Sequence, residues 1–117
     1  MSESNKFENN TVVVTGGAGV LGRSVVSWFS DRGARVAVLD ISDEILASAY
    51  PNPEQNHCYI ACDLTSREGS AEAVAKVLRQ FGEITILCNI AGGFLMGDPV
   101  HKTDDATWNF LFDLNAR

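Results

Sequence analysis

The sequence predicts an α/β fold, a parallel sheet covered by helices on both faces, and three observations lead there. Short β-branched runs alternate with longer stretches of helical period. The runs are apolar without polar alternation, as strands buried on both faces require. A glycine-rich turn joins the first run to the first helical stretch.

Thr11-Val12-Val13-Val14-Thr15 is the first strand. Leu21, Val25, Trp28 and Phe29 recur at threes and fours, so a helix is expected from about Gly19 to Arg32, stopped by Gly33 as a C-cap. Arg35 to Asp40 is a second strand that ends in an acid, and Ser42 to Ala49 a short helix. Two prolines in the loop YPNPEQN exclude regular structure before a third strand, His57 to Cys62. Ser66 to Phe81 reads as a third helix, weakened by Gly69 and closed by Gly82. Ile84 to Cys88 is a fourth strand, a loop follows from Ala91 to about Thr103, and a last helix runs from there to the end. With right-handed crossovers the strands take the order 3-2-1-4.

Composition narrows the function. The chain has 117 residues, 45% hydrophobic and 21% charged, which suits one globular domain. Its net charge of -6 argues against a nucleic-acid partner. No apolar stretch is long enough for a membrane span, and the polar start MSESNKFENN is no secretory signal, so residues 1–10 are expected to be a flexible tail. Cys58, Cys62 and Cys88 lie in apolar runs without metal-ligand spacing, as small hydrophobes of a reducing compartment, the cytoplasm.

The turn Thr15-Gly16-Gly17-Ala18-Gly19-Val20-Leu21-Gly22 sits where a strand hands over to a helix. In that context Gly16 permits a tight turn, Gly19 lets backbone approach a pyrophosphate, and Gly22 lets the helix pack closely on the sheet. The phosphates would meet free N–H groups at the positive end of the helix dipole. Residues 11–117 thus read as a partial Rossmann-type, doubly wound NAD(P)-binding domain, truncated after its fourth βα unit. Two other nucleotide readings compete. Gly17 to Ser24 is one substitution from a P-loop, but Arg23 stands where the lysine belongs; a methyltransferase usually carries an acid near the end of strand one, where this chain has TVVVT. Asp40, followed by Ile41, lies 18 residues beyond Gly22, placed to accept hydrogen bonds from the adenosine ribose. Its charge would repel the 2′-phosphate of NADP, so NAD is the expected cofactor and NADP the less favoured one. Arg23 and Arg35 are the cations able to blunt that preference.

With these residues in place, the chain resembles the short-chain dehydrogenase/reductase family over nearly its whole length. TGGAGVLG resembles the family's TGxxxGxG turn, with Val20 for the middle glycine; its TGxxGxxG spacing is common in the epimerase-like branch. Asp63-Leu64 resembles the family's adenine-binding pair, and Asn89-Ile90-Ala91-Gly92 its NNAG segment, which steadies the sheet beside the cofactor. Asn115 aligns with the asparagine of the Asn-Ser-Tyr-Lys tetrad, which holds a water that relays protons from the lysine. It shares a helix face with Trp108, Leu111 and Phe112, and the opposite face carries Phe110 and Leu114, as a helix buried against a second subunit would.

The resemblance implies NAD(P)-dependent hydride transfer between nicotinamide and a small alcohol or carbonyl substrate, in a homodimer or homotetramer. The alternatives are a non-catalytic dinucleotide-binding module and an epimerase-like sugar-nucleotide protein. The family's Tyr-x-x-x-Lys pair is missing: Glu54 stands four residues after Tyr50 and Asp63 four after Tyr59. The 117 residues are therefore expected to be an amino-terminal half, with an exposed apolar edge at strand four and no turnover of their own. His101 reads as a loop histidine without a catalytic role.

Overall fold

The computed structural model describes residues 6–90. Seven elements follow one another: β1 (Thr11–Thr15), α1 (Val20–Ser30), β2 (Arg35–Asp40), α2 (Asp43–Ala49), β3 (His57–Ala61), α3 (Arg67–Phe81) and β4 (Ile86–Asn89). Every strand pairing is parallel and the sheet order is β3-β2-β1-β4, as the alternation of elements predicts.

The period of two along each strand divides the core. Val13 of β1, Ala37 and Leu39 of β2 and Leu87 of β4 face α3, which meets them with Ala73, Val74 and Val77. Val12 and Val14 of β1 and Val36 and Val38 of β2 point the other way, onto Val26 of α1 and Leu46 of α2. Both faces are covered, which is why the strands carry no polar alternation.

Helix ends follow local chemistry. Ser42 caps α2 by accepting the Ile45 N–H at 3.2 Å, and Ser66 caps α3 by accepting the Gly69 N–H at 3.0 Å. Gly82 closes α3 in the left-handed conformation. α1 stops at Ser30, two residues before the expected end at Arg32. Arg32 instead folds back: its guanidinium lies 3.9 Å from the Trp28 ring centre and Nη1 donates to the Trp28 carbonyl at 2.9 Å. β4 begins at Ile86 rather than Ile84, because Thr85 is engaged at the strand's entrance. Its N–H donates to the Thr11 carbonyl at 2.9 Å, and its Oγ1 accepts the Thr11 N–H at 3.0 Å.

Within the stretch expected to be a flexible tail, residues 1–10, Phe7 is packed against α1. The Phe7 ring packs 5.5 Å from Trp28 and 5.2 Å from Phe29, and its N–H donates to the Arg32 carbonyl at 2.9 Å. One aromatic residue in a polar stretch was enough to anchor it. Phe7→Ala is expected to lower the unfolding free energy by about 1–3 kcal/mol, less than a fully buried Phe because this ring is half-buried; urea denaturation measures the difference.

His57 starts β3 and is only 8% exposed. Its Nδ1 lies 2.8 Å from the Tyr59 hydroxyl and its Nε2 2.9 Å from Ser30 Oγ. Burial pushes its pKa below the usual imidazole value, with Glu54 opposing. The unfolded chain therefore takes up this proton at a higher pH than the folded one. The neutral imidazole's contribution is complete above about pH 6.5 and is lost as pH falls through the lower folded value. Unfolding midpoints are expected to fall on acidification below about pH 6.5, with His57→Gln removing that share of the slope; an equal slope in the variant would contradict this assignment.

Candidate cofactor site

The strands of a doubly wound sheet deliver their loops at their C-terminal ends, and a crevice opens where the strand order reverses. Here the order reverses at β1, which pairs with β2 on one side and β4 on the other. The sequence-predicted residues Gly16, Asp40, Asp63 and Asn89 all lie at or just beyond the ends of these strands.

Gly16 takes φ 67°, a conformation that glycine adopts without a Cβ clash, and it turns the chain out of β1. A Cβ on Gly22 would stand 2.1 Å from the Gly16 carbonyl oxygen and 2.7 Å from Gly17 Cα. Gly22 therefore admits the turn's own backbone against the first coil of α1. Gly17 is also confined, since its Cβ would lie 2.5 Å from Val38 Cγ1 of β2. Gly19 is open by comparison, its nearest neighbour for a Cβ being the Gly16 oxygen at 3.6 Å. As N-cap it brings no side-chain hydrogen bond, and the first turn of α1 holds no acid. The first turn of α1 thus supplies no side-chain acceptor of its own to its N–H groups. Val20 and Leu21, 78% and 61% exposed, flank them with apolar surface.

Asp40 closes β2 and reaches back over this turn. Its Oδ2 accepts the Ala18 N–H at 2.9 Å, and its Oδ1 accepts the Ile41 N–H at 2.7 Å. Each carboxylate oxygen keeps a second lone pair for a further donor. Arg35, one of the two cations raised against the NAD preference, lies at the opposite end of β2. Its Nε donates to Thr11 Oγ1 at 3.0 Å and its Nη2 pairs with Glu83 at 3.0 Å. Arg23 stays near the turn, lining a cleft with Ala18, Glu44 and Ile45.

Beyond β3, the Asp63 carboxylate accepts both the N–H and the hydroxyl of Thr65. The hydroxyl first, then the amide, hold its pKa below the usual carboxylate value. The loop is drawn close to α3, since a Cβ on Gly69 would meet the Asp63 carbonyl oxygen at 2.4 Å. Gly69 weakens the helix in isolation and is required for this contact. Asp40, Ile41, Asp63 and Leu64, predicted from two separate strand ends, line one cleft of ≈ 260 Å³ together with Gly16, Cys62 and Thr65. Ligand pockets for drug-sized molecules are usually about 300–1,000 Å³, so this cleft suits one heterocycle with its sugar rather than a whole dinucleotide. Burial pushes the Cys62 thiol up to about 11, so it lines the cleft as a neutral group.

Asn89 ends β4, in register with Thr15, and its Oδ1 accepts the Thr15 hydroxyl at 2.9 Å. That bond steadies β4 against β1 at the crevice. Ala91, Gly92, Asn115 and the expected last helix lie outside the described residues. Sequence reasoning missed Cys62 and Thr65 as site members, and the contact of Gly17 with Val38. It also missed Tyr50, whose hydroxyl donates to the Gly17 carbonyl at 2.6 Å across 33 positions. No pattern in the sequence signals that bond. Among the described residues no group of His, Cys, Asp or Glu could hold a metal ion, and no helix is long and apolar enough to cross a membrane.

These features fit a bound dinucleotide: a backbone cradle with open N–H groups, a carboxylate placed for a sugar, and a narrow apolar cleft beyond it. Known proteins resemble this chain over most of its length. Zerumbone synthase from Zingiber zerumbet is 32% identical over 116 residues, covering 95% of this chain and 43% of that protein. An NAD-dependent glycerol dehydrogenase from Listeria innocua is 29% identical over 110 residues, covering 93% and 42%. The solved structure of a short-chain dehydrogenase/reductase of Brucella melitensis, a glucose/ribitol dehydrogenase by its description, superposes with a TM-score of 0.68 at 27% identity, covering 98% of this chain and 48% of that one. The chain thus spans less than half the length of each of these proteins. The sequence model of the short chain dehydrogenases matches residues 10–117, and the epimerase-like alternative is not favoured. This chain belongs to the short-chain dehydrogenase family.

Proposed function

We propose that these residues form the cofactor half of an NAD-preferring oxidoreductase that interconverts a small alcohol and its carbonyl compound. The observation that carries the cofactor preference is the position of Asp40, bound to the glycine turn through Ala18 and opening on the cleft beyond β3. A nicotinamide dinucleotide supplies hydride donation or acceptance at its pyridine ring when bound.

The chain's own residues bind and orient. The N–H groups at the start of α1, with Gly19 as an open N-cap, receive pyrophosphate oxygens. Val20 and Leu21 shield that contact from water. Asp40 accepts hydrogen bonds from ribose hydroxyls through its remaining lone pairs, and its charge opposes a 2′-phosphate, which carries about −1.5 to −2 charges at neutral pH. Ile41 covers the adenine, Leu64 lines the cleft beside it, and Asp63, held ionised by Thr65, accepts from its amino group. Asn89 keeps β4 aligned, Ala91 and Gly92 leave room for the cofactor, and Asn115 holds the proton-relay water; these last roles rest on the family resemblance. The same reading takes the cytoplasm as the compartment and a homodimer or homotetramer as the assembly of the whole enzyme.

Asp40→Ala is expected to narrow the ratio of NAD to NADP affinity by about tenfold, the worth of a hydrogen bond to a charged group. Calorimetric titration of both dinucleotides measures it, and an unchanged ratio would remove Asp40 from the site. The 117 residues contain no Tyr-x-x-x-Lys pair. Incubated with NAD and a panel of alcohols, this chain alone is expected to bind cofactor and form no NADH; NADH formation would overturn that division of labour.

A further inference from the structure

Tyr50 ends α2, well away from the glycine turn in sequence, yet its hydroxyl reaches that turn. The Gly17 carbonyl that it bonds and the Ala18 N–H that bonds Asp40 Oδ2 belong to the same peptide unit. A peptide unit is planar, so its C=O and N–H point in opposite directions and rotate together. Here both ends are held, the carbonyl by Tyr50 at 2.6 Å and the amide by Asp40 at 2.9 Å.

The preceding peptide is anchored to the sheet. Its Gly17 N–H donates to the Leu39 carbonyl of β2 at 3.0 Å, and Val38 fills the space beside Gly17 Cα. Tyr50 in turn is positioned by packing: its ring lies 5.2 Å from the Tyr59 ring and 6.3 Å from that of His57. Burial pushes its pKa up to about 12, so the hydroxyl remains a donor throughout the neutral range.

We infer that Tyr50 is a positioning residue for cofactor choice: by fixing the Gly17–Ala18 peptide it orients the Asp40 carboxylate that discriminates between NAD and NADP. Without the hydroxyl, the Gly17 carbonyl loses its donor and the peptide is held at its amide end alone. The Ala18 N–H then leaves Asp40, and the carboxylate is free to turn away from the ribose. The effect on affinity thus arises in a residue outside the cleft that lies beyond β3.

This inference rests on the cofactor reading above, and the experiment separates the two. Tyr50→Phe keeps the ring and removes the bond. Calorimetric titration with NAD and NADP is expected to show NAD affinity lowered about three- to tenfold, and the NAD-to-NADP ratio narrowed with it. Hydrogen exchange followed by NMR is expected to show the Ala18 amide protected in the native chain and exposed in the variant. Tyr59→Phe, which removes the His57 partner and leaves the Tyr50 bond, is expected to leave the dinucleotide ratio unchanged. An unchanged ratio in Tyr50→Phe together with unchanged Ala18 exchange overturns the inference, as does an equal loss of ratio in Tyr59→Phe. If the native chain binds neither dinucleotide, the cofactor reading fails, and Ala18 exchange alone judges the clamp. If Tyr50→Phe does not fold, the Tyr50 hydroxyl proton of the native chain decides by NMR: slow exchange with solvent supports the clamp and fast exchange overturns it.

Discussion

β1 is hydrogen-bonded on both sides, to β2 and to β4, and all five of its residues are buried. The rest of the structure depends on that central position. A strand with parallel neighbours on either side must return over a face of the sheet to reach each of them. The helices therefore cover both faces, and the loops that begin the crossovers gather at one end. The crevice exists because β2 and β4 lie on opposite sides of β1.

Around that crevice the chain uses glycine where backbone must touch backbone, and carboxylates where a loop end needs an acceptor. Gly22 lets α1 start directly over the Gly16 carbonyl, which presents the helix's open N–H groups beside β1. Gly69 lets the loop after β3 lie against α3 and brings Asp63 into the same cleft as Asp40. The two acids differ in environment. Asp40 is tied to the neighbouring turn by Ala18, whereas Asp63 is satisfied locally by Thr65 and its loop. Displacing Asp40 would thus disturb the turn as well as its own loop.

Much of this was legible in the sequence. TVVVT and RVAVLD announced buried parallel strands because their apolar residues do not alternate with polar ones. Ser42, Ser66 and Gly82 announced helix ends because capping is a local matter between residues three or four apart. The spacing of Asp40 and the glycines suggested that they lie together, and Asp40 does bond the turn through Ala18. Two contacts escaped the sequence reading for a common reason. Phe7 in a polar stretch and Thr85 at the mouth of β4 are each engaged with residues distant in sequence, which no local period encodes. Arg32 on Trp28 is a local contact, four residues apart, just past the end of α1.

The sequence by itself determined the element types, the strand order and the residues that stand at the strand ends, because hydrophobic period, caps and crossover handedness act locally or through general rules of connection. Only the tertiary structure decided which glycine touches what. It set Gly22 against the Gly16–Gly17 backbone and Gly17 against Val38, brought Asp40 and Asp63 to one cleft, and carried Arg35 to the far end of the sheet. It also joined Tyr50 to Gly17 across 33 positions. Such pairings depend on where separate elements come to rest against one another, and a packed interior sets those distances more finely than any spacing along the chain.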